Sequence, residues 1–267
     1  MPTIPLYITE VLGVAQSRTG IVLASYAIAL LFVRPFSGYI VDLYSRKRIL
    51  LISFIAFVGI FTGYFFVTTV FLFVVIRFLH GIAWGFTTVS SSTLSIDLVP
   101  SERRAEGIGY YGTFMNVAMA IGPFIAIHVY ESYGFHVLLG YAMGMGVLGI
   151  FAVSLIKAPL RPKEVRKKVS FDRFFLLRAW PIFINQLLPT FAWGTIGPFV
   201  AQYGKQIQIP NAGIYFLFWA GGIMLSRVFA GRWVDRGHIH RVNMSAMFIV
   251  AVAFWGFALY HNIFAFC

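Results

Sequence analysis

The stretch Arg34-Pro-Phe-Ser-Gly38-Tyr-Ile-Val-Asp42 returns near the end of the chain as Arg227-Val-Phe-Ala-Gly231-Arg-Trp-Val-Asp235. Both copies share the pattern Arg-x-Phe-small-Gly-x-x-Val-Asp. Each copy closes an apolar stretch about as long as a membrane span, and basic residues follow it. Two copies of one helix end at the same edge of a bilayer indicate two equivalent halves, an arrangement found in many secondary transporters. The repeat therefore indicates transport.

The composition indicates an integral membrane protein. The chain is 59% hydrophobic and only 11% charged, whereas a soluble domain carries about a quarter charged residues. The apolar runs are long and continuous, which predicts helices rather than the alternating strands of a membrane barrel. The single Cys267 offers neither a disulfide framework nor a thiolate metal site. We expect an all-α membrane protein with no metal, no cofactor and no catalytic residue.

Eight complete spans are predicted, at 18–41, 49–67, 71–96, 105–128, 136–157, 178–203, 212–234 and 242–260. Alternation between the two faces puts most Lys and Arg residues on one of them, against Arg18 and Lys205 on the other. The positive-inside rule makes the basic face cytoplasmic, so the positive net charge sets topology and we expect no nucleic-acid partner. The basic residues of that face are Arg46, Lys47, Arg48, Arg103, Arg104, Lys157, Arg161, Lys163, Arg166, Lys167, Lys168, Arg173, Arg178, Arg232, Arg236 and Arg241.

The polar, basic stretch 158–177 is predicted to be a cytoplasmic linker between two halves. Residues 17–157 form the N-terminal half-bundle with five spans, and 178–267 a partial C-terminal half with three. Residues 1–16 read as the end of a truncated helix and an exterior loop. Since His261–Cys267 looks like a turn into a further span, we expect the sequence to be an internal fragment of a longer protein.

One face of the span 71–96 is unusually polar. At 100° per residue, Arg77, His80 and Trp84 share an arc of about 100° with the hydroxyl residues Thr87, Thr88, Ser91 and Ser95. Packing between helices explains the hydroxyls, but we assign Arg77, His80 and Trp84 to a central substrate cavity, with Thr88 and Ser91 as further candidates. Gln186 and Trp193 form a weaker face on the span 178–203, for which cavity and packing are equal alternatives.

No carboxylate is predicted within the membrane, although proton-coupled transport usually relies on buried acids or His. His80 is an alternative proton carrier, but a single membrane His is more often a hydrogen-bonded packing residue. Gly38 and Gly231 are expected where helices approach closely. Asp42 and Asp235 can meet basic side chains or a helix N-terminus, and capping a turn is the alternative role.

Several motifs, taken in order, resemble the major facilitator superfamily. Gly38-x-x-x-Asp42-x-x-Ser45-Arg46-Lys47 is similar to the signature loop between its second and third helices, with Ser45 where the family has Gly. Arg77-Phe-Leu-His80-Gly81 resembles its fourth-helix motif, with His80 in place of Gln. The exit from that helix, Asp97-Leu-Val-Pro100 followed by Arg103 and Arg104, is also similar. The stretch from Gly112 to Gly122-Pro123 resembles a helix-packing motif of the drug/proton antiporter branches.

The resemblance covers essentially the whole chain, which corresponds to helices two to nine of twelve. It implies a conformational latch that holds one state of a rocking cycle, with the contacts of Asp42 and Asp235 at its centre. Asp235 is expected near Ser101–Gly107. The residues that the resemblance places in this latch are Gly38, Asp42, Arg46, Lys47, Asp97, Arg103, Arg104, Gly231, Asp235 and Arg236.

The function predicted from these features is proton-coupled efflux of a small organic molecule by alternating access. Uptake of a sugar or other metabolite by the same fold is an alternative, as is a fragment that transports nothing. A membrane-embedded acyl- or glycosyltransferase would need paired acids or a His–Asp constellation, which the sequence does not show. We expect a multi-pass monomer in a bacterial cytoplasmic membrane, with the substrate, the proton and the lipid bilayer as its partners.

Overall fold

The structure, a computed structural model, describes residues 2–158 and 180–259. Only the backbone is described at residues 16, 17, 105, 106, 182, 188, 192, 227–229, 231, 232, 234 and 235. The described residues form helices and loops, with no strand among them, which confirms the all-α membrane fold. The predicted linker, apart from residue 158, and the chain end at His261–Cys267 lie outside the described residues. The helices are α1 (Thr3–Glu10), α2 (Gln16–Leu43), α3 (Arg46–Gly63), α4 (Val70–Asp97), α5 (Arg104–Leu155), α6 (Trp180–Gln206), α7 (Ile214–Asp235) and α8 (Ile239–Leu259), with short 3-10 helices at Tyr64–Phe66 and Ser101–Arg103.

Five helical stretches of the described chain are long and apolar enough to cross a membrane. They cover six of the eight predicted spans, because Gly107–Leu155 contains two of them. The other two predicted spans, 178–203 and 212–234, lie on α6 and α7, and the total of eight stays a prediction. The five stretches are Arg18–Leu43, Arg46–Phe66, Val70–Asp97, Gly107–Leu155 and Ile239–Leu259.

Helix α5 is too long for a single crossing. Its 52 residues extend about 78 Å at 1.5 Å per residue, against a hydrocarbon core of about 30 Å. Gly134 interrupts it with a φ of 82° and a ψ of 177°, a conformation that only glycine adopts at low cost. The break lies within 129–135, between the two spans predicted from the sequence.

The repeated motif lies at the C-terminal end of a helix in both copies. Helix α2 ends at Leu43, directly after Asp42, and α7 ends at Asp235 itself. Both copies of the motif therefore end a helix, while the equivalence of the two halves stays a prediction. The side chain of Asp235 and the surroundings of Gly231 are not described in the structure.

One compact unit contains α2, α3, α4 and the second segment of α5, from Tyr133 onwards. Helix α4 packs against both α2 and α3, while α2 and α3 touch each other little. Glycines allow this packing: a Cβ atom at Gly81 would lie 2.6 Å from the Tyr26 carbonyl oxygen of α2, and one at Gly85 would lie 3.0 Å from Val33. Helix α4 is therefore the centre of this unit.

The second compact unit contains α6, α7 and α8 with the Met115–Ser132 segment of α5. A Cβ atom at Gly213, just before α7, would lie 2.6 Å from the Cα atom of Phe124 on α5. The Tyr203 hydroxyl donates to the Phe257 carbonyl oxygen at 3.4 Å, which joins α6 to α8. Large apolar side chains of α8, including Phe248 at 70% exposure, face outward, as expected of a surface that meets lipid.

Candidate functional site

Arg77 is buried on α4, two turns after the helix begins. Thr69 caps the helix start, where its hydroxyl accepts a hydrogen bond from the Leu72 amide at 3.3 Å. Arg77 is 5% exposed, and its guanidinium carbon lies 4.2 Å from the ring centroid of Tyr26 on α2. The Arg77 Nε atom has no hydrogen-bond partner among the described residues. A cation–π contact thus stabilises the charge on one face of the guanidinium.

His80, one turn further along α4, is enclosed by aromatic rings. It is 1% exposed, and its ring centroid lies 4.2 Å from that of Phe57 and 4.6 Å from that of Phe61, both on α3. The Tyr64 hydroxyl lies 3.0 Å from the His80 Nδ1 atom. The Nε2 atom on the other side of the ring has no partner within the described part of the chain. His80 is therefore a packed residue with one hydrogen-bonding nitrogen still available.

Trp84 completes the row on α4, with its ring centroid 5.0 Å from that of Phe57. The structure thus brings Arg77, His80 and Trp84 into one cluster with Tyr26, Phe57 and Tyr64, which sequence reasoning missed. The missed signal was the spacing of Phe57, Phe61 and Tyr64, since residues four and seven apart share one helix face.

The hydroxyl residues of α4 bond mainly to their own helix. Thr88 donates to the Trp84 carbonyl oxygen at 2.9 Å, and Ser95 donates to that of Ser91 at 2.8 Å. The Ser91 hydroxyl also accepts from the Tyr111 hydroxyl at 3.4 Å. Further hydroxyls that donate to carbonyl oxygens three or four residues earlier are those of Thr87, Ser90, Ser92 and Thr93. Most of these hydroxyls are thus satisfied within α4 itself, while Thr87 and Ser91 also contact Ser53 and Tyr111 of other helices. The choice between cavity and packing stays a prediction.

Gln186 and Trp193, the candidates on α6, belong to the second compact unit. Gln186 is exposed, and its backbone carbonyl oxygen accepts a hydrogen bond from the Thr190 hydroxyl at 2.6 Å. The Trp193 ring stacks on Trp219 of α7, with centroids 4.4 Å apart and planes 15° apart. Tyr215, one turn before Trp219, lies nearly parallel to Trp193 at 6.4 Å. Trp193 is therefore part of an aromatic stack between α6 and α7.

Arg46 joins three helix ends on the predicted cytoplasmic side. Its Nη1 atom donates to Asp97 Oδ1 at 2.7 Å and to the Thr93 carbonyl oxygen at 3.1 Å, both at the end of α4. Its Nη2 atom lies 3.4 Å from Asp42 Oδ1, at the end of α2. Asp42 and Arg46 are four residues apart in sequence and lie on either side of the short loop between α2 and α3. Three residues of the predicted latch thus form one charged cluster.

The two ion pairs of Arg46 differ in their environment. The side chains of Arg46 and Asp97 are 12% and 5% exposed, whereas that of Asp42 is 58% exposed. Because water screens exposed pairs, the contact with Asp42 contributes little. The contact with Asp97 is short and charge-assisted, which makes it the stronger bond.

The other residues predicted to form the latch either lie away from this cluster or are described only by their backbone. Lys47 donates to the Ser154 carbonyl oxygen at 2.7 Å, near the end of α5. Arg103, Arg104 and Arg236 are exposed. The contacts expected of Gly231 and Asp235 lie outside what the structure describes. The Ser101 hydroxyl donates a hydrogen bond to the exposed Glu102 carboxylate at 2.6 Å, and this bond lowers the pKa of that carboxyl group.

The close approaches expected at two glycines are absent from the structure. No described atom lies within 4 Å of a Cβ atom built at Gly38 or at Gly122. The physical reason is that the described helices approach each other elsewhere, at Gly81 and Gly85 on α4. Gly112 and Pro123 lie on α5, and Pro123 stands inside the helix without ending it.

The described residues contain no group of three His, Cys, Asp or Glu side chains that could hold a metal ion. Arg77, His80 and Tyr64 instead offer hydrogen-bond donors and a fixed positive charge. Such an arrangement can bind a polar or charged group within an apolar helix bundle. It resembles a binding site more than a catalytic one, since no acid or nucleophile adjoins it among the described contacts.

Comparison with known proteins shows the family. The family model of the Major Facilitator Superfamily matches residues 1–267. The multi-drug resistance efflux pump PmrA of Streptococcus pneumoniae is 23% identical in an alignment that is 269 positions long and covers 95% of this chain and 67% of the relative. The staphylopine export protein of Staphylococcus aureus is 24% identical over 84% of this chain and 58% of the relative.

The quinolone resistance protein NorA of Staphylococcus aureus is also similar, with 24% identity over 71% of this chain and 49% of the relative. The chain thus spans between about half and two thirds of these relatives. The family model matches the whole length of an all-α, multi-pass membrane chain. The protein therefore belongs to the major facilitator superfamily of membrane transporters.

Proposed function

We propose that the protein exports small organic molecules across a bacterial cytoplasmic membrane by alternating access. Membership of a transporter family makes it a transporter and not an enzyme. The direction is supported by its relatives, among which are a multi-drug efflux pump and an export protein. The relatives are only partly spanned by this chain, so substrate and coupling are proposed from the site itself.

The observation that carries the proposal is the buried Arg77. A charge within the membrane is costly and marks a functional site by default. Arg77 lies in the apolar span Val70–Asp97, and it forms no ion pair within the described part of the chain. Arg77, His80 and Trp84 form the core of the proposed substrate site, with Thr88, Ser91, Gln186 and Trp193 as further candidates.

Proton coupling is proposed as the energy source. The described carboxylates lie at helix ends or in loops, except for Glu131, which lies beside the break in α5 at Gly134. We therefore propose that the described spans supply no intramembrane acid. His80 is the titratable side chain nearest to Arg77 on α4. The latch around Asp42, Arg46 and Asp97 is proposed to hold one state of the transport cycle, with Asp235 as the equivalent residue of the second half.

Transport of a fluorescent dye in membrane vesicles tests this function. Everted vesicles that contain the full-length protein should accumulate fluorescein, a fluorescent dye that carries a carboxylate, when a proton gradient is imposed, and nigericin should abolish the accumulation. Arg77→Ala should lower the rate at least tenfold at matched protein levels, and Lys should restore it only in part, since an ammonium lacks the planar donor set of a guanidinium.

The matched control is Arg34→Ala, because Arg34 is an intramembrane arginine whose side chain is exposed. It should keep near-normal flux. Equal flux in Arg77→Ala and Arg34→Ala would show that Arg77 only packs, and accumulation unaffected by nigericin would remove the proton from the mechanism.

A further inference from the structure

Two polar atoms in the α4 cluster are buried without a partner in the described ranges. They are Arg77 Nε and His80 Nε2, and their residues are three apart, on one face of the helix. A buried polar group that lacks a hydrogen bond is rare in a folded protein and indicates a missing ligand, water or ion. The chemistry of that missing group can be read from whether the two atoms donate or accept.

The Arg77 Nε atom can only donate, because a guanidinium has no acceptor. The role of His80 Nε2 depends on its other nitrogen, which lies 3.0 Å from the Tyr64 hydroxyl. Arg77 lies within electrostatic reach of that same hydroxyl. Since a nearby cation attracts the oxygen lone pairs, the hydroxyl proton is directed away from Arg77 and towards His80 Nδ1. A neutral His80 that accepts at Nδ1 carries its proton on Nε2.

Arg77 Nε and His80 Nε2 are therefore both hydrogen-bond donors without a described partner. Arg77 Nε is part of a permanently charged guanidinium. The face of the guanidinium is already covered by the Tyr26 ring, 4.2 Å from its carbon, so a ligand would approach from the edge that carries the N–H groups. An acceptor-rich anion satisfies such an edge, whereas a cationic group would meet repulsion. A carboxylate fits best, because its two oxygens can accept from two donors at once.

We infer that this cluster binds a carboxylate group of the exported molecule, with Arg77 as the charge partner, His80 as the second donor and Tyr64 as the positioning residue that fixes the His80 tautomer. The inference rests on the proposed export function and narrows its substrate class to organic acids and zwitterions. Arg77 is the more exposed of the two donors, at 5% against 1% for His80, so the anion meets it first.

A matched pair of probes isolates the carboxylate. Nalidixic acid and its ethyl ester share one planar ring system and differ in the anionic group. Binding of each to the purified full-length protein in nanodiscs is measured by isothermal titration calorimetry. The acid should bind roughly tenfold to a hundredfold more tightly than the ester, as expected for hydrogen bonds to a charged group. Arg77→Gln should bring the ratio to about one, and Arg34→Gln should leave it unchanged.

Tyr64 is tested by its effect on His80. In ¹⁵N spectra of histidine-labelled protein, His80 should be protonated at Nε2 in the wild type and should become a mixture of tautomers in Tyr64→Phe. The same substitution should reduce the preference for the acid about threefold or more. If Tyr64→Phe fails to fold, His80→Gln, which keeps an N–H donor, should retain the preference that His80→Leu loses.

The outcomes separate this inference from the export function. Equal binding of acid and ester, or a ratio that Arg77→Gln leaves unchanged, overturns the carboxylate site, and export of the ester or of fluorescein would then leave the transporter standing. A clear preference for the acid that depends on Arg77, without export of any probe, keeps the site and overturns the exporter. A His80 proton on Nδ1 in the wild type overturns the role of Tyr64.

Discussion

Replacement of Asp97 should destabilise the cytoplasmic end of the first compact unit far more than replacement of Asp42. Asp97→Ala removes an acceptor that lies 2.7 Å from Arg46, where the two side chains are 5% and 12% exposed. Hydrogen bonds to charged groups contribute about 1.5–3 kcal/mol, and little solvent screens this pair. We therefore expect the free energy of unfolding to fall by about 1.5–3 kcal/mol.

Two further variants, Asp97→Asn and Asp42→Ala, are compared with Asp97→Ala in the same experiment. Asp97→Asn keeps an oxygen acceptor but removes the charge, and since charge-assisted bonds are about twice as strong as neutral ones, it should lose roughly half as much. Asp42→Ala removes a contact of 3.4 Å from a side chain that is 58% exposed, so its loss should stay below about 1 kcal/mol.

The assay is reversible unfolding of the purified protein in mixed micelles, with sodium dodecyl sulfate as denaturant and tryptophan fluorescence as readout. The expected order of loss is Asp97→Ala, then Asp97→Asn, then Asp42→Ala. A loss for Asp42→Ala that equals or exceeds that for Asp97→Ala would refute the reasoning from burial and distance. In that case the latch would depend on the exposed aspartate, as the sequence motif alone suggests.

Three further predictions concern packing and topology. Gly81→Ala should destabilise the protein by about 1–3 kcal/mol, because the new Cβ atom meets the Tyr26 carbonyl oxygen at 2.6 Å, while Gly59→Ala, with no described atom within 4 Å, should be neutral or stabilising in the same micelle titration. Cysteines placed at Asp42 and Asp235 should react with an impermeant maleimide from the cytoplasmic face only, and labelling of the two from opposite faces would end the assignment of two equivalent halves. Protease should cut the basic segment 163–168 only from the cytoplasmic side, so cleavage in intact cells would contradict the topology.

The helical fold was accessible from sequence because its cause is local. Runs of about 20 apolar residues have few alternatives in a bilayer other than a helix, and the repeated motif marked the ends of α2 and α7 correctly. The break at Gly134 falls between two predicted spans, although the sequence analysis did not single out that glycine. These features depend on neighbours along the chain and need no knowledge of which helices touch.

The site was less accessible because its contacts are distant in sequence. Arg77, His80 and Trp84 could be grouped by helical periodicity on α4. Their contact partners on α2 and α3 could not be predicted, because the sequence does not show that α4 packs against both of those helices. The same limit explains the glycines: small residues were visible at Gly38 and Gly81 alike, but only the packed structure shows that Gly81 makes the close approach.

The hydroxyl-bearing stretch of α4 also has a mechanical consequence. Between Ala83 and Ser91, several carbonyl oxygens accept a side-chain hydroxyl in addition to their amide bond, an arrangement that slightly weakens and often bends helices. If such a carbonyl loses its amide donor, the hydroxyl still satisfies it, so bending here exposes no bare backbone to lipid. The stretch includes Gly85 and lies between Gly81, which packs closely against α2, and the ion pair at Asp97. We therefore expect α4 to bend more easily within this stretch than at its ends, so that strain applied at one end is absorbed as curvature within the helix.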